Sequence, residues 1–100
     1  MTLKYEFMFE EGYVKDFSKW KSVFDHYRID RQMYGFIDER IFQDTDNPNH
    51  ITLVYDIRSK AEALKWMTSD KLKRALNEAG AIGRPKFFSV LNTELAHSKR

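Results

Sequence analysis

The chain has no cysteine among its 100 residues, and only four glycines and two prolines. The lack of cysteine excludes disulfide bridges, thiolate metal sites and cysteine nucleophiles. No apolar run approaches the roughly 20 residues needed to cross a bilayer, and the first residues contain no apolar stretch of signal-peptide length. We therefore expect a cytoplasmic protein that makes no contact with membranes.

Several well-known catalytic and binding motifs are also missing. The segment Gly80-Ala81-Ile82-Gly83 follows a predicted helix, whereas a dinucleotide-binding turn opens one. We find no nucleophile elbow and no arrangement of serine, histidine and aspartate that suggests a catalytic triad. From these absences we predict no bound cofactor.

The composition that remains suits one small globular domain. Hydrophobic residues make up 42% of the chain and aromatic residues 15%. We predict a single domain over residues 1–100, with its core over 3–95 and a flexible polar tail over 96–100. The aromatic content exceeds what one small core needs, which indicates a second apolar surface.

The apolar pattern predicts two kinds of element. Strands are predicted over residues 3–14, 36–44, 50–57 and 86–95. Spacings of three and four predict one helix from Phe17 to Gly35. A second helix starts at the capping box Ser59–Glu62 and ends at Gly80, with another capping signal at 68–70 that predicts a break.

This order, β-α-β-β-α-β, matches a ferredoxin-like α+β fold. It predicts a four-stranded antiparallel sheet with two helices on one face. Because both sides of the strands carry large apolar residues, the face without helices is expected to bind a second copy of the chain. The homodimer is preferred over the alternative, a monomer.

Four stretches of the sequence resemble one protein family over residues 4–95. They are residues 14–25, 46–49, 69–72 and 79–85. In them the chain is similar to the dimeric α+β barrel proteins related to antibiotic-biosynthesis monooxygenases, and most similar to small members, some of which are called cyclases. The stretches are turns, caps and core positions, so they indicate the fold more than the chemistry.

The resemblance implies a homodimer whose two sheets form a barrel, with a pocket between helices and sheet in each subunit. Relatives use this pocket for cofactor-free oxidation of aromatic polyketides, for ring closure or for haem breakdown, and many have no demonstrated activity. The haem-degrading branch relies on an asparagine, a tryptophan and a histidine. Trp66 is present here without matching partners, so that branch does not fit.

Four residues are candidates for lining such a pocket: Trp20, Tyr27, Arg31 and Trp66. Arg31 falls on the apolar face of the first helix, where it either holds an anionic ligand or reaches water past its own stem. Tyr27 either orients a ligand as a weak acid or is a core tyrosine. The two tryptophans either wall an aromatic pocket or fill the core.

The histidines give weaker signals. His26 lies beside Ile29 and Met33, away from the main apolar stripe, and is either a general base or a surface or subunit-contact residue. His50 opens the third strand and His97 lies in the tail. Their spacing predicts no metal site.

Three functions compete at this point. The first is a small-molecule protein, a cofactor-independent oxygenase or a cyclase, with a small aromatic or anionic ligand. The second is a non-catalytic dimeric binding or accessory module. The third, RNA binding, is suggested by basic residues clustered over 58–86, but the third strand lacks the aromatic and glycine signature of RNA-recognition domains. We expect no nucleic-acid partner.

Overall fold

A computed structural model describes residues 5–92. The elements, in chain order, are β1 (Tyr5–Val14), α1 (Phe17–His26), α2 (Arg28–Met33), β2 (Phe36–Gln43), β3 (His50–Ile57), α3 (Lys60–Met67), α4 (Asp70–Glu78) and β4 (Ala81–Asn92). The predicted order β-α-β-β-α-β is confirmed, with each predicted helix divided into two. The tail predicted over 96–100 lies outside the described residues.

All four strands form one antiparallel sheet in the order β2-β3-β1-β4. The helices cover one face of this sheet, so the predicted ferredoxin-like class is confirmed. Strand β3 shows the reason most clearly, because every second residue is buried. Ile51, Leu53, Tyr55 and Ile57 form the floor of the core, and the period of two is that of a strand with one covered face.

The other sheet face, which we call the open face, carries Phe7, Phe9, Val54, Phe88 and Val90. Phe9 pairs with Val54 on one side and with Phe88 on the other, and the two phenyl rings stack at 5.3 Å. Phe88 remains 59% exposed. The second apolar surface expected from the composition therefore lies on this face.

The first predicted helix is not continuous, contrary to expectation. At Tyr27 the backbone leaves helical geometry (φ −94°, ψ 16°). The Tyr27 N–H donates a bifurcated hydrogen bond to the carbonyls of Val23 and Phe24, both at 3.3 Å. Helix α2 restarts there and packs on β2. It ends at Met33, and Gly35, which has a φ of 83°, follows two residues later, in agreement with the predicted stop.

The break in the second helix was predicted and is confirmed. The Ser69 hydroxyl accepts a hydrogen bond from the Leu72 N–H at 3.1 Å and donates one to the Trp66 carbonyl at 2.7 Å. One side chain thus ends α3 and caps α4. The Ser59 hydroxyl caps α3 in the same way, accepting from the Glu62 N–H at 3.2 Å.

Strand β4 starts earlier than predicted, at Ala81 instead of Lys86. The stretch 83–85, which precedes the predicted strand, is a bulge inside β4: Glu11 pairs with Lys86 while Tyr13 pairs with Ile82. Gly83 allows this because its φ is 69°, a conformation that costs other residues about 1–2 kcal/mol. The bulge places Arg84 and Pro85 beside α4.

The helices are short. Within residues 5–92 the longest has ten residues, and none has both the length and the apolar character that a membrane crossing requires.

Candidate functional site

A cavity lies between the helices and the sheet. Its lining residues come from every layer of the fold: Glu10, Trp20, Val23, Phe24, Tyr27, Arg31, Leu53, Tyr55, Trp66, Leu72, Ala75, Leu76 and Ala79. All four residues singled out from the sequence, Trp20, Tyr27, Arg31 and Trp66, are among them. We call this space the central cavity.

The central cavity is narrow, at about 40 Å³. On the same measure one water molecule needs at least about 10–15 Å³, so the space holds a few waters. An aromatic ligand requires side chains at its border to move.

The most distinctive group in the central cavity is Glu10, which the sequence reasoning did not select. It is 7% exposed, and its Oε1 accepts a hydrogen bond of 2.9 Å from the buried Tyr55 hydroxyl. Oε2 has no hydrogen-bond partner among residues 5–92, so its lone pairs are available to a molecule in the cavity. The alternation of β1 puts Glu10 on the same side as Met8, but only the structure shows that this side is buried.

Burial controls the protonation of this pair. It raises the pKa of the Glu10 carboxyl above the ordinary value of 4.5, although the Tyr55 hydrogen bond and the charge of Arg31 act in the opposite direction. Burial, together with the nearby Glu10 charge, raises the pKa of Tyr55 well above 10.0. Tyr55 therefore stays a neutral hydrogen-bond donor, while Glu10 is a stronger base than an exposed carboxylate.

Arg31 is 3% exposed, so the expectation that it reaches water is wrong. Its guanidinium lies 3.6 Å from the centre of the Phe24 ring, and Nη1 donates to the Phe24 carbonyl at 2.7 Å. Nη2 and Nε donate to the two carboxylate oxygens of Glu39 at 3.0 and 3.3 Å. Glu39 neutralises the guanidinium, so the end of the cavity near Glu10 and Arg31, which we call the inner end, has no excess positive charge. A role for Arg31 in holding an anion stays a prediction.

The aromatic candidates form the walls. Trp20 stacks on Phe24 with ring centres 4.8 Å apart, and Trp66 lies 6.3 Å from the Tyr27 ring. The Tyr27 hydroxyl donates to Glu78 at 3.2 Å. Partial burial and the Glu78 carboxylate raise the pKa of Tyr27, so its phenol stays protonated near the cavity mouth.

The histidines lie away from the central cavity. His26 is exposed on α1. His50 forms an ion pair or hydrogen bond with Glu11 and stacks on Tyr13 at 4.3 Å. Over the described part of the chain no three potential ligands come together to hold a metal ion, and His97 lies outside that part.

Comparisons with known proteins agree with this fold. No protein-family model matches the sequence, and no curated protein is similar to it in sequence. Among solved structures, a proposed antibiotic biosynthesis monooxygenase from Bordetella bronchiseptica superposes with a TM-score of 0.73 at 11% identity, over 88% of this chain and 96% of that one.

Two further structures are similar across nearly their whole length. SnoaB, a cofactor-independent oxygenase from Streptomyces nogalater, has a TM-score of 0.64 at 10% identity, over 97% of this chain and 98% of that one. A conserved protein from Methanosarcina mazei has a TM-score of 0.61 at 14% identity, over 94% and 95%. The predicted resemblance to the antibiotic-biosynthesis monooxygenases is thus confirmed in the fold.

The buried Arg31 ion pair yields a stability prediction. Replacing Arg31 by methionine keeps an apolar stem but removes the three buried hydrogen bonds that the guanidinium donates to Glu39 and the Phe24 carbonyl. We expect a loss of about 3 kcal/mol in the free energy of unfolding. The matched control is Arg28→Met, because Arg28 is 53% exposed and lies 3.5 Å from the same carboxylate; it should cost less than about 1 kcal/mol. Equal losses in urea unfolding would contradict the role given to Arg31.

The raised pKa of Glu10 yields a pH prediction for Glu10→Gln, which keeps the acceptor for Tyr55. Below about pH 4.5 the carboxyl is protonated in both folded and unfolded chains, so variant and wild type should be similar. As pH rises, the unfolded wild type releases its proton first, and the wild type loses stability relative to the variant until Glu10 itself ionises in the folded state.

The measurement is urea unfolding, followed by tryptophan fluorescence, from about pH 4 to about pH 8. Glu6→Gln on the same strand is the control, since Glu6 is not among the residues that line the central cavity; it should show no such growing difference. A constant difference between wild type and Glu10→Gln across the range would refute the burial effect.

Proposed function

We propose that this protein binds a small aromatic molecule, with an uncharged end in the central cavity, and acts on it without a cofactor, by oxygenation or by ring closure. The observation that carries the proposal is the Glu10 carboxyl, buried within the cavity and hydrogen-bonded to Tyr55. Buried carboxyls with displaced pKa values and a positioned partner are typical of general bases. The fold it shares with a cofactor-independent oxygenase supports the same reading.

The aromatic walls and the local charges define the substrate class. Trp20, Tyr27 and Trp66 offer flat apolar surface, which suits stacking with a fused-ring compound. Glu39 already neutralises Arg31, and Glu10 is itself an acid. An anionic group at this inner end would be repelled, whereas an enol, a phenol or an activated C–H supplies the proton that Glu10 accepts.

Anthrone, a fused-ring ketone with an activated methylene, illustrates the proposed oxygenation. Glu10 removes a proton from the methylene carbon, and the electron pair forms the enolate. Dioxygen, the oxidant, is reduced as a C–O bond forms at that carbon, and the proton returns from Glu10 to the peroxide. Loss of one water gives the quinone, so one anthrone and one dioxygen yield one quinone and one water.

The alternative is a non-catalytic dimeric binding or accessory module. The small size of the central cavity, about 40 Å³, favours this alternative, because the site is not open to a bulky substrate in the described conformation. In either case the same cavity holds the ligand. The cytoplasmic location suggested by the cysteine-free composition stays a prediction.

We also propose that two copies associate through the open face. Phe88 is 59% and Val90 is 40% exposed, beside Phe7, Phe9 and Val54. A contiguous apolar face of this kind is unusual on a monomer, and a two-fold axis through it would bury the same residues of both copies. The helices leave this face uncovered, so the cavities of both copies remain on the outside of the pair.

The chemistry is tested by oxygen uptake and quinone absorbance with anthrone, after subtraction of the spontaneous reaction. We expect Glu10→Gln to reduce the rate by at least about a hundredfold and Glu6→Gln to leave it unchanged. The wild-type rate should rise with pH as Glu10 ionises, with a midpoint above 4.5. Tyr55→Phe should shift that midpoint upward, because the Tyr55 hydrogen bond lowers the pKa of Glu10.

Two outcomes separate the candidate functions. Binding of anthrone that depends on Glu10, with no turnover above background, would favour the binding module. Turnover that is unchanged in Glu10→Gln would rule out the proposed base.

The dimer is tested by analytical ultracentrifugation of Phe88→Asp, which puts a charge on the open face. We expect wild type to sediment as a dimer and this variant as a monomer. Ile29→Asp is the control, because Ile29 lies on α2 in the helix layer and is 70% exposed; it should remain dimeric. A monomeric wild type, or equal behaviour of both variants, would overturn the open-face dimer.

A further inference from the structure

Two more cavities share the side chain of Leu76 with the central one. The smaller, about 20 Å³, extends from Glu10 toward Gly12 and the β4 bulge. The larger, about 190 Å³, is a groove between α4 and β4. We call it the α4–β4 groove; its lining residues are Met67, Thr68, Leu72, Lys73, Leu76, Arg84, Pro85 and Phe87. It has several times the volume of the central cavity.

One residue is common to the lining of all three spaces. Leu76 lines each of them, Glu10 lines the central and the smaller cavity, and Leu72 lines the central cavity and the groove. Leu76 itself is half-buried on α4. Leu76, with Leu72 beside it, therefore lies at the partition between the outer groove and the inner spaces that Glu10 borders.

This partition is movable. Side chains that are not fully packed change rotamer on a picosecond-to-nanosecond timescale, and one face of Leu76 borders empty space. Moving it joins the spaces into one chamber near the lower end of ligand-pocket volumes, roughly 300 Å³. The joined chamber is long, with Glu10 at the inner end and the groove at the outer end.

The outer end of the joined chamber has the positive charge that its inner end lacks. Lys73 and Arg84 border the groove, whose other walls include Met67, Pro85 and Phe87. The Lys73 ammonium is exposed, 3.6 Å from Asp70, and Arg84 forms no ion pair within residues 5–92. An apolar slot bordered by two cations is complementary to a flat aromatic body that carries a carboxylate.

We infer that the α4–β4 groove is the entrance to the site, that Leu76 is its gate, and that the ligand is an aromatic carboxylate. Its anionic group stays between Lys73 and Arg84, while its neutral, proton-donating end passes Leu76 and reaches Glu10. The inference rests on the proposed function for the inner end, and it adds the entry path, the gating residue and the anionic outer group.

The test uses two fluorescent probes that differ by one carboxylate, 6-hydroxy-2-naphthoate and 2-naphthol, with stopped-flow measurement of association. We expect Leu76→Ala to speed association of the naphthoate at least about tenfold. Leu64→Ala is the matched control, because Leu64 lies on α3 and lines none of the three cavities; it should change the rate less than about twofold. If circular dichroism shows that Leu76→Ala unfolds, Leu76→Met, which keeps the volume without the branch, should speed association in the same direction.

The charge is tested by the double variant Lys73→Gln with Arg84→Gln. It should weaken naphthoate binding by about tenfold and make it less sensitive to salt, while leaving binding of 2-naphthol unchanged. An equal effect on both probes would overturn the anion assignment.

The outcomes distinguish this inference from the proposed function. If both probes bind in a Glu10-dependent manner but Leu76 variants associate at the wild-type rate, the gate is refuted and the proposed function stands. If neither probe binds to the wild type or to any variant, the proposed function fails and the gate fails with it.

Discussion

The guanidinium of Arg31 joins three elements from a buried position between them. It extends from α2, donates to the Phe24 carbonyl of α1 and to both oxygens of Glu39 on β2, and lies over the Phe24 ring. Such a buried cation is tolerated only when its donors are matched, so the three elements have little freedom to move apart. The side of the central cavity that α1 and α2 cover depends on this arrangement.

The same arrangement affects the pKa of Glu10. Arg31 is close enough to lower the pKa of Glu10, yet Glu39 takes up its hydrogen bonds, and burial has the larger effect. The result is a carboxyl with one oxygen held by Tyr55 and with no salt-bridge partner of its own within residues 5–92. A base of this kind combines a fixed position with a raised affinity for protons, and both properties follow from burial in a helix-covered sheet.

Local signals in the sequence predict most of the fold, because caps and alternation act over a few residues. The Ser59 and Ser69 caps and strand β3 could be located in this way. The break at Tyr27 has no local signature. Gly83 and Pro85 indicate an irregular backbone, but only the pairing with β1 shows that it is a bulge inside β4. Glu10 was missed for a related reason: both sides of β1 carry large apolar groups, so the pattern alone does not say which side the helices cover. Arg31 was found by helical spacing, but its partner Glu39 lies on a strand whose position only the fold supplies.

The bulge in β4 also affects how the sheet ends. Strand β4 is at the edge of the described sheet, where unpaired backbone groups are a template for further strands. Pro85 has no N–H to offer, the bulge bends the edge, and Arg84 and Lys86 add like charges along it. These features oppose the edge-to-edge stacking that leads to fibrils. The chain thereby combines an exposed apolar sheet face with a protected β4 edge, which opposes open-ended aggregation through that edge.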